Sequence, residues 1–180
     1  MARNRKKGSR KLLLVVAVVI LGAVVVASMT LMTGGRSTAK PFAAPTSPVQ
    51  TTDVRSSLAA FQGKVVILDF WATWCGPCRM EIPGFVSLEN KYRDRGLEIV
   101  GASLDAFTHG GNPQAVAPFM KQFGINYTIF LLNSNDAMQG YDASEGIPTT
   151  YIIDRQGNIA GRYVGVRSES FFESELKRLL

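Results

Sequence analysis

The sequence predicts an α/β domain over residues 54–180, with a central mixed β-sheet flanked by helices. Two continuous apolar runs of strand length, residues 65–71 and 97–104, enclose a segment with helical periodicity. Such a strand-helix-strand unit pairs its strands in parallel. Two later short strands, residues 149–153 and 159–164, are separated by turn-forming residues, which predicts an antiparallel hairpin. The chain is 46% hydrophobic, which is enough for one packed core.

The segment between the two buried strands predicts a long helix that ends near Arg95. Its apolar side chains recur at helical spacing: Ile82, Phe85, Leu88 and Tyr92. Pro83 lies inside this segment and predicts a kink, because proline removes one helical hydrogen bond. Before the first strand, residues 58–61 predict a short helical turn that Gly63 ends.

The second half of the domain contains further helix signals. Asn112, followed by a proline, is a good N-cap and first turn, and Gly124 is a good helix end. Residues 127–132 predict a short strand, and the loop after it has room for one helical turn. The last helix starts either at Ser168 or at Ser170, since both residue types cap helices.

The net charge of +6 comes from the N-terminus alone. Residues 1–11 hold six of the twenty Lys and Arg and no acidic residue. The other fourteen basic residues match the fourteen Asp and Glu in number. The rest of the chain is therefore neutral in sum, and nothing in its charge indicates a nucleic-acid partner.

An uncharged segment follows the basic tail, at residues 12–32. Twenty-one helical residues span about 30 Å, the thickness of the hydrocarbon layer of a bilayer. We therefore expect an uncleaved, single-pass membrane anchor; the alternative is a removed signal peptide, with residues 37–39 as a weak cleavage site. The basic tail, residues 1–11, would stay in the cytoplasm, and the domain would be extracytoplasmic. Residues 33–53, rich in Gly, Ser, Thr, Ala and Pro, predict a flexible linker.

The only two cysteines of the chain, Cys75 and Cys78, form a Cys-x-x-Cys pair directly after the first buried strand. A zinc site usually needs four ligands, and the only histidine is His109, so we expect no metal. A purely structural disulfide would close a very short loop and would stabilise the fold little. Redox chemistry is the interpretation that remains.

The position of the pair at the start of a helix predicts different roles for the two sulfurs. Cys75 precedes the helix, where unpaired N–H groups favour a thiolate, so it is the expected nucleophile and the more exposed of the two. Cys78 would then resolve the mixed disulfide. Asp69, inside the apolar strand, is a candidate proton acceptor for Cys78, although an aspartate that reaches solvent is the alternative. Glu81, one turn after Cys78, is a second candidate, or else an ordinary glutamate of the first turn.

Three motifs in this order resemble those of the thioredoxin superfamily, and specifically the membrane-anchored TlpA-like and ResA-like thiol-disulfide oxidoreductases with their redoxin domain. The motifs are Leu68 to Cys78 (LDFWATWCGPC), Gly146 to Thr149 (GIPT), and Tyr151 to Asp154 (YIID) followed by Gly157. The resemblance implies a thioredoxin fold with an inserted helix and strand, which residues 97–123 fit. The family's β-hairpin before the first buried strand has no clear counterpart in this sequence.

The resemblance also implies a substrate-binding surface. It makes Pro148 a cis-proline beside the cysteine pair, with the backbone of Ile147 free to bind an extended substrate strand. Trp74, Gly76 and Pro77 are expected to shape the apolar surface around Cys75. For Trp71, by contrast, packing in the core is the stronger expectation.

The implied activity is that of a protein-disulfide oxidoreductase that needs no cofactor. Family resemblance suggests reduction of protein disulfides, for example in cytochrome c biogenesis or at metal-site cysteines, as part of cell redox homeostasis. Electrons would come from a membrane thiol donor such as a CcdA/DsbD-like protein. Three alternatives stay open: an oxidative folding catalyst, a thiol peroxidase, and a non-catalytic assembly module that binds Cu(I) through both thiolates.

Overall fold

A computed structural model describes residues 47–180, which contain one six-stranded mixed sheet in the order β1-β4-β3-β2-β5-β6. The strands are β1 (Val49–Thr51), β2 (Val65–Trp71), β3 (Leu97–Ser103), β4 (Thr128–Leu132), β5 (Thr149–Ile153) and β6 (Ile159–Val164). The α-helices are α1 (Val54–Leu58), α2 (Gly76–Tyr92), α3 (Pro113–Phe123) and α4 (Glu169–Leu176). Short 3-10 turns follow α1, α2 and β4 at Ala59–Phe61, Arg93–Arg95 and Asn135–Met138.

The pairing of the central strands confirms the predicted topology. Strands β2 and β3 are parallel over their whole length, from Val65 opposite Leu97 to Trp71 opposite Ser103. Strand β5 is antiparallel to both β2 and β6, which makes the predicted hairpin. Because β2 and β3 end at the same edge, the loops that follow them lie side by side.

The sheet separates two apolar clusters. One face of the sheet packs against α2, α3 and α4, with side chains such as Ile67, Phe85 and Phe172 fully enclosed. The other face packs against α1 and the 3-10 turns, and its core includes Leu68 and Phe70. Every residue of β2 and β3 is buried, which explains why both strands are continuous apolar runs in the sequence.

The helix ends follow the capping rules, with one open choice resolved. Asn112 accepts a hydrogen bond from the Gln114 N–H at the start of α3, and Gly124 ends that helix in the left-handed region, as predicted. Ser168, and not Ser170, is the N-cap of α4, because its hydroxyl accepts from the Phe171 N–H. Helix α2 continues through Pro83 to Tyr92.

The boundary expected between linker and domain at residue 54 is wrong. Strand β1 lies inside the predicted linker, residues 33–53, and pairs in parallel with β4. A polar three-residue strand shows no periodicity, so the composition of a linker concealed it. Between residue 47 and β2 the structure shows this single strand, α1 and the 3-10 turn Ala59–Phe61, and no hairpin.

The predicted cytoplasmic tail and membrane anchor, residues 1–11 and 12–32, lie outside the described residues. The same is true of the predicted linker up to residue 46. Within residues 47–180, each helix is too short or too polar to cross a bilayer.

Helix α2 is attached to β3 by a buried carboxylate. Pairing between β3 and β4 begins only at Val100, and Glu89 accepts the N–H of the preceding Ile99 at 3.0 Å. Its other oxygen accepts from Arg93 Nε at 2.8 Å, and Glu89 is only 1% exposed. Burial raises the pKa of Glu89 to about 7, against the pull of Arg93.

This raised pKa predicts a pH-dependent stability. The folded protein binds the Glu89 proton more tightly than the unfolded chain, whose glutamates titrate near pH 4.5. The free energy of unfolding should therefore fall as the pH rises from about 4.5 through about 7, by at most about 3 kcal/mol from this group. Glu89→Gln keeps an acceptor for Ile99 but does not titrate, so urea unfolding at pH 5 and pH 8 should differ less than in the wild type. An equal pH dependence in both proteins would contradict this assignment.

Candidate active site

Cys75 and Cys78 form a disulfide at the N-terminus of α2. Cys75 is the N-cap residue of this helix, and its Sγ accepts a hydrogen bond from the Cys78 N–H at 3.2 Å. Cys75 is 4% exposed and Cys78 is fully buried. The first sulfur is thus the more accessible one, as predicted, although little of it reaches solvent.

The loop before β5 lies against this disulfide. The peptide bond between Ile147 and Pro148 is cis, as the resemblance implies, and the Ile147 carbonyl oxygen is 3.7 Å from Cys75 Sγ. Pro148 is buried, and its carbonyl accepts from the Gly165 N–H at 2.8 Å. This bond holds the loop to the end of β6, beside the cysteine pair.

Exposed groups of the same loops, most of them apolar, form the rim of the site. Trp74 is 46% exposed next to Cys75, and Gly76 and Pro77 are also exposed. Val166, just beyond the Gly165 contact, is 40% exposed. Trp71, in contrast, is 1% exposed and belongs to the core, as predicted.

Asp69 lies in the middle of β2 and is only 2% exposed, so it does not reach solvent. Its side chain accepts one hydrogen bond, from the Thr150 hydroxyl at 3.2 Å on the neighbouring strand. Burial raises the pKa of Asp69 well above its ordinary value, and the nearby carboxyl of Glu81 raises it further. This environment favours the protonated form of the carboxyl group.

Glu81 is also buried, at 4% exposure, and is not an ordinary surface glutamate of the first turn. One oxygen accepts the backbone N–H of Arg167, and the other, Oε2, has no hydrogen-bond partner. Burial raises the pKa of Glu81 to about 7, while the Arg167 N–H and guanidinium lower it. Asp69 and Glu81 therefore form an electrostatically coupled pair. Asp69 lies on the strand before residues 72–75, here called the cysteine loop, and Glu81 lies on the helix after it.

Sequence reasoning missed three residues that lie in the cysteine loop or contact it: Thr73, Arg79 and Asp105. Thr73 donates two hydrogen bonds to the Asp105 carboxylate, and Arg79 donates two to the Thr73 carbonyl. One signal was available, since Asp105 follows β3 at the edge where β2 leads into the cysteine motif.

The described residues offer little for a metal ion. His109 is exposed in the loop after β3. In the range 47–180, the structure has no group of three His, Cys, Asp or Glu side chains arranged to hold one.

Comparison with known sequences places this geometry in a family. Residues 36–162 match the AhpC/TSA family. The thiol-disulfide oxidoreductase ResA of Bacillus subtilis is 33% identical over 120 residues, which cover 67% of this chain and 64% of ResA. The thioredoxin-like protein YneN of the same organism is 32% identical over 126 residues, which cover 68% of this chain and 69% of YneN. The matched region thus spans slightly less than two thirds of ResA.

Solved structures show the same fold. A thiol:disulfide interchange protein of the thioredoxin family from Chlorobium tepidum superposes with a TM-score of 0.59 at 30% identity, covering 79% of this chain and 99% of that one. StoA from Bacillus subtilis gives a TM-score of 0.54 at 27% identity, covering 63% of this chain and 82% of that one. The chain therefore belongs to the AhpC/TSA family and, within the thioredoxin superfamily, to the relatives of the ResA-like thiol-disulfide oxidoreductases.

Proposed function

We propose that this protein is an extracytoplasmic thiol-disulfide oxidoreductase that exchanges disulfides with protein substrates, acting as a reductase. The observation that carries the proposal is the Cys75–Cys78 disulfide at a helix N-terminus, with the loop of Ile147 and Pro148 against the Cys75 sulfur. Helix N–H groups stabilise a thiolate at Cys75, and the adjacent loop supplies backbone groups for an extended substrate.

The reaction starts from the reduced pair. The Cys75 thiolate attacks one sulfur of the substrate disulfide, so that a Cys75–substrate bond forms and the other substrate sulfur leaves as a thiolate. Cys78 then loses its proton and attacks Cys75 Sγ, which releases the second substrate thiolate and leaves the disulfide seen in the structure. Two electrons pass from the cysteine pair to the substrate.

The buried carboxyl pair supplies the proton acceptor for the second step. Cys78 is fully buried, so its proton needs an acceptor inside the protein. Asp69 and Glu81 have raised pKa values, and Glu81 has a free oxygen one helical turn from Cys78. A base whose pKa lies near the working pH accepts a thiol proton efficiently.

The cellular role that we propose rests on the N-terminal sequence and on the family resemblance. The basic tail and the apolar segment, residues 12–32, favour a single-pass protein of the cell membrane with an extracytoplasmic domain. In this location the reduced state must be renewed from the membrane, which favours a thiol donor such as a CcdA/DsbD-like protein. Cytochrome c biogenesis, where haem-site cysteines need reduction, is the pathway that the resemblance favours.

The competing activities differ in what they require near Cys75. A thiol peroxidase needs Thr or Ser three residues before the reactive cysteine to activate peroxide, and the buried Ala72 occupies that position. A copper-binding module would bind Cu(I) through both thiolates without turnover. An oxidative catalyst would use the same residues in reverse.

Trapping the substrate separates these activities. In cells that express Cys78→Ser, Cys75 should attack its substrates but the mixed disulfide should not be resolved. Non-reducing electrophoresis should then show adducts that a reductant releases, and mass spectrometry identifies them. With Cys75→Ser the adducts should be absent.

Purified wild-type protein should also reduce insulin disulfides in the presence of dithiothreitol. Rapid peroxide consumption without insulin reduction would overturn the proposal in favour of a peroxidase. Tight Cu(I) binding without turnover would favour the assembly module.

The kinetics of disulfide exchange test the proposed proton transfer from Cys78. A chromogenic aromatic disulfide releases one thiolate when Cys75 attacks and a second when Cys78 resolves, so the two steps are seen as two phases. Glu81→Gln should slow the second phase about tenfold or more at pH 7 and remove the rise in its rate near pH 7. The first phase should not slow, because loss of a buried negative charge does not disfavour the Cys75 thiolate.

Glu89→Gln is the matched control for this experiment. Glu89 is buried on the same helix, two turns further on, and its pKa is also raised to about 7. It contacts Arg93 and Ile99 rather than the cysteine loop, so both phases should keep the wild-type pH profile. Equal effects of the two substitutions would refute a specific role for Glu81.

A further inference from the structure

A buried carboxylate outside the proton-accepting pair holds the loop that leads to the disulfide. Asp105, two residues after β3, is 1% exposed. Its oxygens accept four hydrogen bonds: from the Thr73 N–H at 2.9 Å, the Thr73 hydroxyl at 2.6 Å, the Ser103 hydroxyl at 2.8 Å and the Asn112 N–H at 3.4 Å. All four donors are neutral, and they come from three different segments of the chain.

Every polar group of Thr73 takes part in a hydrogen bond. Its N–H and hydroxyl both bind Asp105, and its carbonyl accepts from Arg79 Nε at 3.0 Å and Nη2 at 2.6 Å. Thr73 is two residues before Cys75 and is itself 8% exposed. The residue that sets the path of the chain into the helix is therefore fixed at every polar group.

The same carboxylate connects this loop to α3. Asn112, which donates to Asp105, is the N-cap of α3, and the neighbouring Gly111 approaches the Asp105 carbonyl so closely that a Cβ would lie 2.4 Å from it. The Arg79 guanidinium, on α2, lies 5.5 Å from the centre of the ring of Phe119, which is on α3. Loop, strand end and helix start thus form one rigid unit around Asp105.

We propose that Asp105 is a positioning residue for the thiol chemistry, which through Thr73 holds Cys75 where the α2 N–H groups and the Ile147 carbonyl meet its sulfur. This inference rests on the proposed function and assigns a role to residues that neither attack nor accept the thiol proton. Asp105→Asn replaces one of the two accepting oxygens by an NH2 donor, so a buried donor of this cluster loses its partner, and movement of the loop relieves that cost. A shift of about 1 Å at a reacting atom lowers a rate by up to about a hundredfold.

Position and charge predict opposite effects on Cys75. If Asp105 acted only as a nearby negative charge, its removal would favour the thiolate and make Cys75 more reactive. If it positions the loop, its removal lowers the reactivity of Cys75. Thr73→Val should also lower the reactivity of Cys75, without any change of charge, because it removes only the hydroxyl donor to Asp105.

The experiment measures the rate at which iodoacetamide alkylates Cys75, as a function of pH, in the reduced full-length protein carrying Cys78→Ser. Asp105→Asn should lower this rate about tenfold at pH 7, and Thr73→Val should lower it in the same direction. Thr73→Ser retains both donors and should restore the wild-type rate. Glu98→Gln is the matched control, since Glu98 is 2% exposed at the opposite end of β3 and binds Lys64 and Thr128. It should change the rate by less than about twofold.

The outcomes keep this inference separate from the proposed function. Wild-type protein that reduces insulin, together with unchanged alkylation rates in Asp105→Asn and Thr73→Val, would overturn the positioning role alone. So would a faster reaction in Asp105→Asn, or an equal decrease in Glu98→Gln. Wild-type protein without insulin reduction would overturn the proposed function instead. If Asp105→Asn does not fold, the comparison of Thr73→Val with Thr73→Ser decides the question.

Discussion

The structure of this site depends on one junction, where the chain leaves the buried strand β2 and starts helix α2 with a sulfur as the N-cap. A cap residue must satisfy helix N–H groups, and here Cys75 Sγ does so for the Cys78 N–H. The same N–H groups that need a partner in the folded protein also favour a thiolate when the disulfide is reduced. Folding and reactivity therefore impose the same geometry on Cys75. The contacts of Thr73 with Asp105 and Arg79 hold the chain in that geometry.

The sheet topology explains why the partners of this junction come from distant parts of the sequence. Strands β2 and β3 are parallel, so the loop after each lies at one edge, and Asp105 comes next to Thr73. Strand β5 is antiparallel to β2, with Thr149 opposite Phe70, so the residue before β5 lies at that same edge. This residue is Pro148. Register also sets the chemistry, because Asp69 opposite Thr150 faces α2, and a slip by one residue would turn its carboxyl to the other face of the sheet.

Sequence patterns predicted the elements whose signals are local. A few adjacent residues are enough to recognise the apolar runs of β2 and β3, the hairpin of β5 and β6, and the capping residues Asn112 and Gly124. Strand β1 was missed because three residues with a polar composition acquire their conformation from β4. Asp105 was missed for a related reason. An aspartate after a strand is common in loops, and only the register of β2 against β3 shows that its oxygens meet Thr73.

The hydrogen bonds of the buried carboxyl groups distinguish those that join segments of the chain from the two that we propose as proton acceptors. Asp105 accepts four bonds and joins three segments, whereas Glu89 and Glu98 each accept two and attach β3 to its neighbours. Asp69 and Glu81 accept one bond each, and one oxygen of Glu81 has no partner. An under-bonded buried carboxylate is costly, and the free energy is recovered by keeping a proton. Two such neighbouring groups are unfavourable for folding by this argument, and the arrangement fits the proposed transfer of the Cys78 proton to an acceptor inside the protein.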